Sequence, residues 1–307
     1  MLKAIPNSFD LKLNISTIFS LLALILFSCS EAPKKSDQEN GNEQEIKIEK
    51  KASNLFEVEG KVFSIPSPIQ TAFLLKETGA EYQSSLLNPT QHAANYSTSF
   101  QKAINLGIYG ADLGYATIYN QSQDAISYMA VTKRLNNELG ISGLFDEALI
   151  KRFEQNIGNQ DSLLSLVSDA FRKSDQYLKN NERKDASALI LAGGWIETLH
   201  FATSLYQKSD NADLKNRIGE QKITINNLIK LLLPIQDNES ASKLINSLNE
   251  LKDLYAEVEF TYTYHEPETV AEEKMTIIKS KSEVKINKDQ LLAINEKIQS
   301  IRTELIQ

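Results

Sequence analysis

The stretch 103–120, AINLGIYGADLGYATIYN, constrains this chain more than any other segment. Gly107, Gly110 and Gly114, with Ala103 and Ala111, recur at steps of three and four residues, so they share one face of a helix. Glycine inside a helix costs about 1 kcal/mol relative to alanine. Three in one helix therefore need a compensating gain. A bare stripe supplies one by letting another backbone approach. The segment SALILAGGW, with Ala188, Ala192 and Gly193, offers a matching bare surface. Gly107, Gly110, Gly114 and Gly193 are accordingly expected to be close-packing positions.

The competing use of a bare stripe is room for a ligand. Tyr109, Asp112, Tyr115 and Tyr119 lie on or beside it, and Trp195, Glu197 and His200 follow Gly193. These seven form the candidate ligand-binding set. Asp112 is the only charged residue between Ala103 and Gln123. Burying a carboxylate is expensive unless it is paired or hydrogen-bonded. Tyrosine hydroxyls or a basic group from a neighbouring helix would satisfy it, and a structural role is expected over a catalytic one.

The remaining pattern from residue 55 onward is mostly helical. Leu55 to Ile65 alternates weakly, as a short strand would. Ser67-Pro68 reads as a cap and first-turn proline, opening a helix that stops near Gly79, and Asn88-Pro89 reads the same way. Ser97, Thr98 and Ser99 precede the glycine-bearing helix, which runs to about Tyr119. Further helices are expected over Gln121–Leu139, Gly143–Ile157, Gln160–Asn180, Arg183–Lys208, Ala212–Ile235 and Glu239–Glu257. Their short links imply antiparallel neighbours. Val258, Phe260, Tyr262 and Tyr264 then alternate with polar residues, a period-two strand signal, and Met275–Ile286 suits its partner. Asn287 with Gln290 makes a capping box for a final helix over 288–306, striped by Leu291, Ile294, Ile298, Ile301 and Leu305. No strict repeat is present. The expected fold is all-α: an antiparallel helical bundle or an irregular helical solenoid, with a small β-hairpin in segment 258–286, in one domain over 55–307.

The N-terminus has a different character. Ile15–Phe27 is a charge-free run of 13 residues after Lys3 and Lys12. A spanning helix needs about 20 residues, so the run fits the apolar core of a signal peptide over 1–28 instead. It ends Leu26-Phe27-Ser28-Cys29, which resembles the lipobox of bacterial lipoproteins. That resemblance covers the export signal alone. It implies cleavage before Cys29, lipidation of that thiol, and anchoring by two or more acyl chains at about 0.8 kcal/mol per buried CH₂. It also implies a cell-envelope location. Ser30 replaces the Asp that retains such proteins in the inner membrane in enterobacterial-type sorting, which favours the outer membrane. Residues 29–54 contain no aromatic side chain and read as a flexible tether, with a root-mean-square reach of roughly 25–30 Å.

Composition removes several chemistries. Cys29 is the only cysteine, so no intrachain disulfide and no multi-cysteine zinc site can form. A net charge of −7 argues against nucleic acid as a partner. Glu197-Thr198-Leu199-His200 has the Glu-x-x-His spacing of di-iron bundles, but such sites need two pairs and neither His92 nor His265 supplies the second. No phosphate-binding glycine loop and no nucleophile elbow occurs. No catalytic residue, metal or cofactor is therefore expected. The expected function is a non-catalytic envelope lipoprotein whose helical body binds a partner protein or scaffolds a complex. The alternative is a small-molecule or glycan-binding lipoprotein that uses the aromatics near 109–119 and 195.

Overall fold

A computed structural model describes residues 54–58, 61–65, 72, 75–141, 147–270, 275–277 and 280–307. The signal peptide, Cys29 and nearly all of the tether lie outside them, as does most of the helix expected after Ser67-Pro68. The fold is all-α with small antiparallel sheets.

Asn54–Val58 (β1) and Lys61–Ile65 (β2) pair antiparallel, so the weak alternation over 55–65 becomes two strands. Residues 75–77 are helical, and Gly79 ends them at φ +75°, a conformation that favours glycine. The chain then runs without α-helix to residue 98. The helix expected at Asn88-Pro89 is only a 3₁₀ turn, Thr90–Ala94. Asn88 cannot cap it, because its side chain and backbone are bonded into the core, as described below.

The helices that follow are Ser99–Ile118 (α1), Ser122–Glu138 (α2), Glu147–Gln155 (α3), Gln160–Asn180 (α4), Lys184–Ser209 (α5), Ala212–Leu232 (α6), Glu239–Leu254 (α7) and Lys288–Ile306 (α8). Their starts are chemically marked. Thr98 and Gln101 form a reciprocal capping box on α1, Asn287 and Gln290 another on α8, and Asn159, Asn211 and Asn238 cap α4, α6 and α7. Each such cap contributes about 1 kcal/mol.

Two helices make the core, and the others wrap them. Every residue of α1 from Ala103 to Ile118 is buried, and so is every residue of α5 from Ala186 to Tyr206 except Ile190. α5 is long and apolar enough to cross a membrane, but 94% of its apolar window is buried inside the protein. It is a core helix, apolar all round because protein surrounds it. The outer helices are amphipathic: α8 buries Leu291, Ile294, Ile298 and Ile301 of its predicted stripe.

α1 and α5 meet through backbone. A Cβ added to Gly107 would lie 1.9 Å from the Ile190 carbonyl oxygen, and one added to Gly193 would lie 1.9 Å from the Ile104 carbonyl oxygen. A Cβ on Gly110 would enter the Phe171 ring of α4. Gly114 is buried in the same helix. The pairings 104 with 193 and 115 with 201 advance together, so α1 and α5 run parallel. Sequential neighbours obey the expected antiparallel rule: Lys102 meets Glu138, and Tyr109 meets Tyr128, across α1 and α2.

The β segment is a ribbon. Glu259–Thr263 (β3) pairs with Lys281–Lys285 (β6), and Glu268–Val270 (β4) pairs with Met275–Ile277 (β5). The expected single partner strand over 275–286 is thus split, with Ser280 bridging to the backbone of His265 at the break. The ribbon's base is fixed to α6. Val284 packs where Gly219 lacks a side chain, and the Lys222 ammonium donates to the carbonyls of Ala256 and Val258.

Candidate functional site: a sealed carboxylate–arginine cluster

Arg302 of α8 reaches into the core between α1 and α5. Its Nε donates to Glu197 Oε2 at 2.5 Å and its Nη2 to Glu197 Oε1 at 2.7 Å, a two-pronged clamp. The same Nη2 donates to the Leu86 carbonyl at 2.8 Å. Glu197 is 0% exposed and Arg302 is 9% exposed. Asp112, also 0% exposed, completes the cluster from α1. Its Oδ2 accepts the Asn88 backbone N–H at 3.3 Å. Its Oδ1 meets no N–H or hydroxyl donor among the described residues. The charge of Glu197 acts on the Asp112 carboxyl from the neighbouring helix.

The electrostatics follow from that geometry. Burial, and then the charge of Glu197, hold Asp112 well above the usual carboxylate range; Arg302 and the Asn88 N–H act the other way and do not prevail. His200 lies one turn beyond Glu197, under the same Leu86 carbonyl, with Ser204 Oγ 3.4 Å from its Nδ1. Burial pushes this imidazole down to about 4, so it is neutral at pH 7.

Asn88 seals the cluster. It is 0% exposed, and each of its polar groups is engaged. Its Nδ2 donates to Tyr96 Oη at 3.1 Å, its Oδ1 lies 3.1 Å from His92 Nδ1, and its carbonyl accepts the Tyr128 hydroxyl at 3.1 Å. Asn105 Nδ2 donates to the Leu305 carbonyl at 2.8 Å, and the Tyr96 hydroxyl to the Ile306 carbonyl at 3.4 Å. The last carbonyls of α8, which have no partner within their own helix, are closed by side chains from 96 and 105.

The sequence-predicted residues go to separate places. Tyr109 packs with Tyr96 and Tyr128, and Tyr115 and Tyr119 pack with Tyr82 and Phe201, in two aromatic groups. Their hydroxyls are taken by the segment that covers them: Tyr109 donates to Pro89, Tyr119 donates to Ala80, and Tyr115 accepts the Gln83 N–H. Tyr82, stacked on Tyr115 at 5.3 Å, donates to Asp124. Together these bonds clamp residues 80–89 onto the core. Trp195 turns to α6, where its indole donates to Gln221 at 2.9 Å. Asp112, Glu197 and His200 act on one another in the same part of the core, where Arg302 bonds Glu197.

Arg302 and Asn88 were not singled out from sequence. Arg302 carried a signal: it is a charge set beside Ile301, four residues after Ile298, on the apolar side of α8. Asn88 carried a misleading one, since Asn-Pro is an ordinary start to a helix.

Chemically, the cluster is closed. Of the donors and acceptors described above, all but the Asp112 Oδ1 acceptor are bonded inside the core, and among the described residues no group of three or more His, Cys, Asp or Glu side chains is arranged to hold a metal ion. No protein-family model, curated protein or solved structure matches the chain, so the site stands on its own geometry.

Proposed function

We propose that the protein is a lipid-anchored, non-catalytic binding module of the bacterial cell envelope, whose helical body docks a partner protein through the ribbon Glu259–Lys285. One observation carries this reading. On the ribbon, Tyr262 is 66% and Tyr264 is 64% exposed, with Phe260 and Met275 also open. A two-stranded ribbon is at best marginal on its own, and large exposed aromatics mark surfaces that gain from being covered. Among the described residues β3 and β6 pair only with each other, which suits a partner that adds a strand.

The anchor rests on the sequence: a charge-free run of 13 residues ending in a lipobox-like Leu26-Phe27-Ser28-Cys29. Ser30 supports the outer membrane, and residues 29–54 provide the reach. The enclosure of Asp112, Glu197 and His200 supports the non-catalytic reading, since it keeps these three groups from a substrate.

Two measurements test this in cells. Incorporation of an alkyne fatty acid is expected in the wild-type chain and not in Cys29→Ala; equal labelling overturns the anchor. A photo-crosslinking residue at 262 or 264 is expected to give an adduct that the same residue at the exposed position 243 does not. Equal adducts at all three positions, or none at the ribbon, overturn the docking surface. An adduct at twice the chain's mass replaces the partner protein with a second copy.

A further inference from the structure

Two carboxyl groups, both 0% exposed, share the core with a single guanidinium, which bonds Glu197 through Nε and Nη2 and the Leu86 carbonyl through Nη2 and gives Asp112 no hydrogen bond. Two neighbouring carboxylates cannot both keep their charge in a dry core beside one cation. Neither oxygen carries a hydrogen, and one counter-charge cannot offset two. One proton resolves both conflicts. It turns the Asp112 carboxyl into a donor toward Glu197, and it gives Oδ1, otherwise without a donor among the described residues, its partner. The cluster then holds one carboxylate and one guanidinium and is neutral overall.

We infer that Asp112 and Glu197 hold one proton between them, and that this proton is the latch that keeps residues 84–94 seated over the core. The segment has no α-helix of its own. It is tied to the cluster at two points, the Asn88 N–H on Asp112 and the Leu86 carbonyl on Arg302. The groups that face the pair are Tyr109 from α1, Tyr128 from α2, Tyr96 from the covering segment, His200 from α5 and Arg302 from α8. Arg302 is the only cation among them, since His200 is neutral. A second negative charge therefore has no counter-ion among these groups. Loss of the proton draws water to the pair, and segment 84–94, which covers it with no α-helix, is the one that lifts.

The test begins with the wild-type protein. Its infrared spectrum at pH 7 is expected to show the carbonyl stretch of one protonated carboxylic acid, lost in Asp112→Asn; no such band in the wild type overturns the inference. Hydrogen exchange, corrected for the intrinsic rate, reads the latch. Protection of 84–94 is expected to fall at least tenfold between pH 6 and pH 10 in the wild type and to stay constant in Asp112→Asn. An equal fall in both overturns it. Should Asp112→Asn not fold, the pH titration of the wild-type band decides. Coincidence with the loss of protection supports the latch, and a band that persists after protection is lost overturns it.

Discussion

Gly107 and Gly193 each lie beneath a carbonyl of the opposite core helix, Ile190 for one and Ile104 for the other, where an added Cβ would stand 1.9 Å from the oxygen. The arrangement is reciprocal, so neither helix can retreat from one contact without opening the other. Helices α1 and α5 pass closer than side chains permit, and glycine is the residue that allows it.

Gly107→Ala and Gly193→Ala are therefore expected to destabilise the protein strongly, although alanine is the better helix former by about 1 kcal/mol. The clash is with backbone, which cannot rotate away, so the helices must part. Overpacking of this kind costs typically 1–3 kcal/mol and sometimes more. Urea unfolding followed by circular dichroism checks it. Because one separation relieves both clashes, the double variant should lose less than the sum of the two single losses. Unchanged stability in either single variant refutes the contact.

Arg302→Met is expected to cost about 3–5 kcal/mol, the usual penalty for stripping a buried charge of its partner. It leaves Glu197 clamped by nothing and the Leu86 carbonyl without its Arg302 donor. Glu197→Gln combined with Arg302→Met should recover a large part of that loss, because no uncompensated charge then remains. A double-mutant cycle measures the coupling, and additive losses refute the ion pair as the organising contact.

Helix positions and caps were legible because they depend on neighbours in sequence. Thr98 with Gln101 and Asn287 with Gln290 act over three residues, and α4 begins and ends where its periodicity does. The bare stripe was legible too, since a glycine-rich face has few uses. The pairing of Asp112, Glu197 and Arg302 was harder to read. It joins residues on three helices, and Glu197 and Arg302 stand 105 positions apart. Nothing local to Arg302 says what it will meet. The alternation at Val258, Phe260, Tyr262 and Tyr264 predicted a strand correctly, and implied a buried face that only Val258 has. Period two reports the pleat; what covers it depends on elements elsewhere.

The cluster makes two opposed contributions to stability against pH. His200 is depressed from 6.5 to about 4 by burial. Below 6.5 the unfolded chain gains a proton that the folded one refuses, so stability falls as pH drops from 6.5 to 4, by about 3 kcal/mol. Asp112 is raised from 3.8. Above that value the unfolded chain sheds a proton that the folded one keeps, so stability falls as pH rises. The two slopes oppose each other between pH 4 and 6.5. Asp112→Asn should expose the first, becoming more stable as pH rises across that window. His200→Gln should expose the second and do the reverse. Chemical denaturation at half-unit steps of pH decides it, and parallel profiles for the two variants refute the assignment.

Tyr262 and Tyr264 lead to a different expectation, because they belong to the ribbon and not to the core. With well over half of each side chain open to solvent, Tyr262→Ser and Tyr264→Ser should change stability by no more than about 0.5 kcal/mol. Val258 and Val284 are buried at the ribbon's base, so Val258→Ser should destabilise by about 1–3 kcal/mol through lost burial and an unpaired hydroxyl. The contrast separates the part of the strand that holds the fold from the part that faces outward. Reduced crosslinking from a probe at the neighbouring position 260, at unchanged melting temperature, marks the two tyrosines as binding residues. A melting temperature that falls together with the crosslink instead makes them part of the folded core.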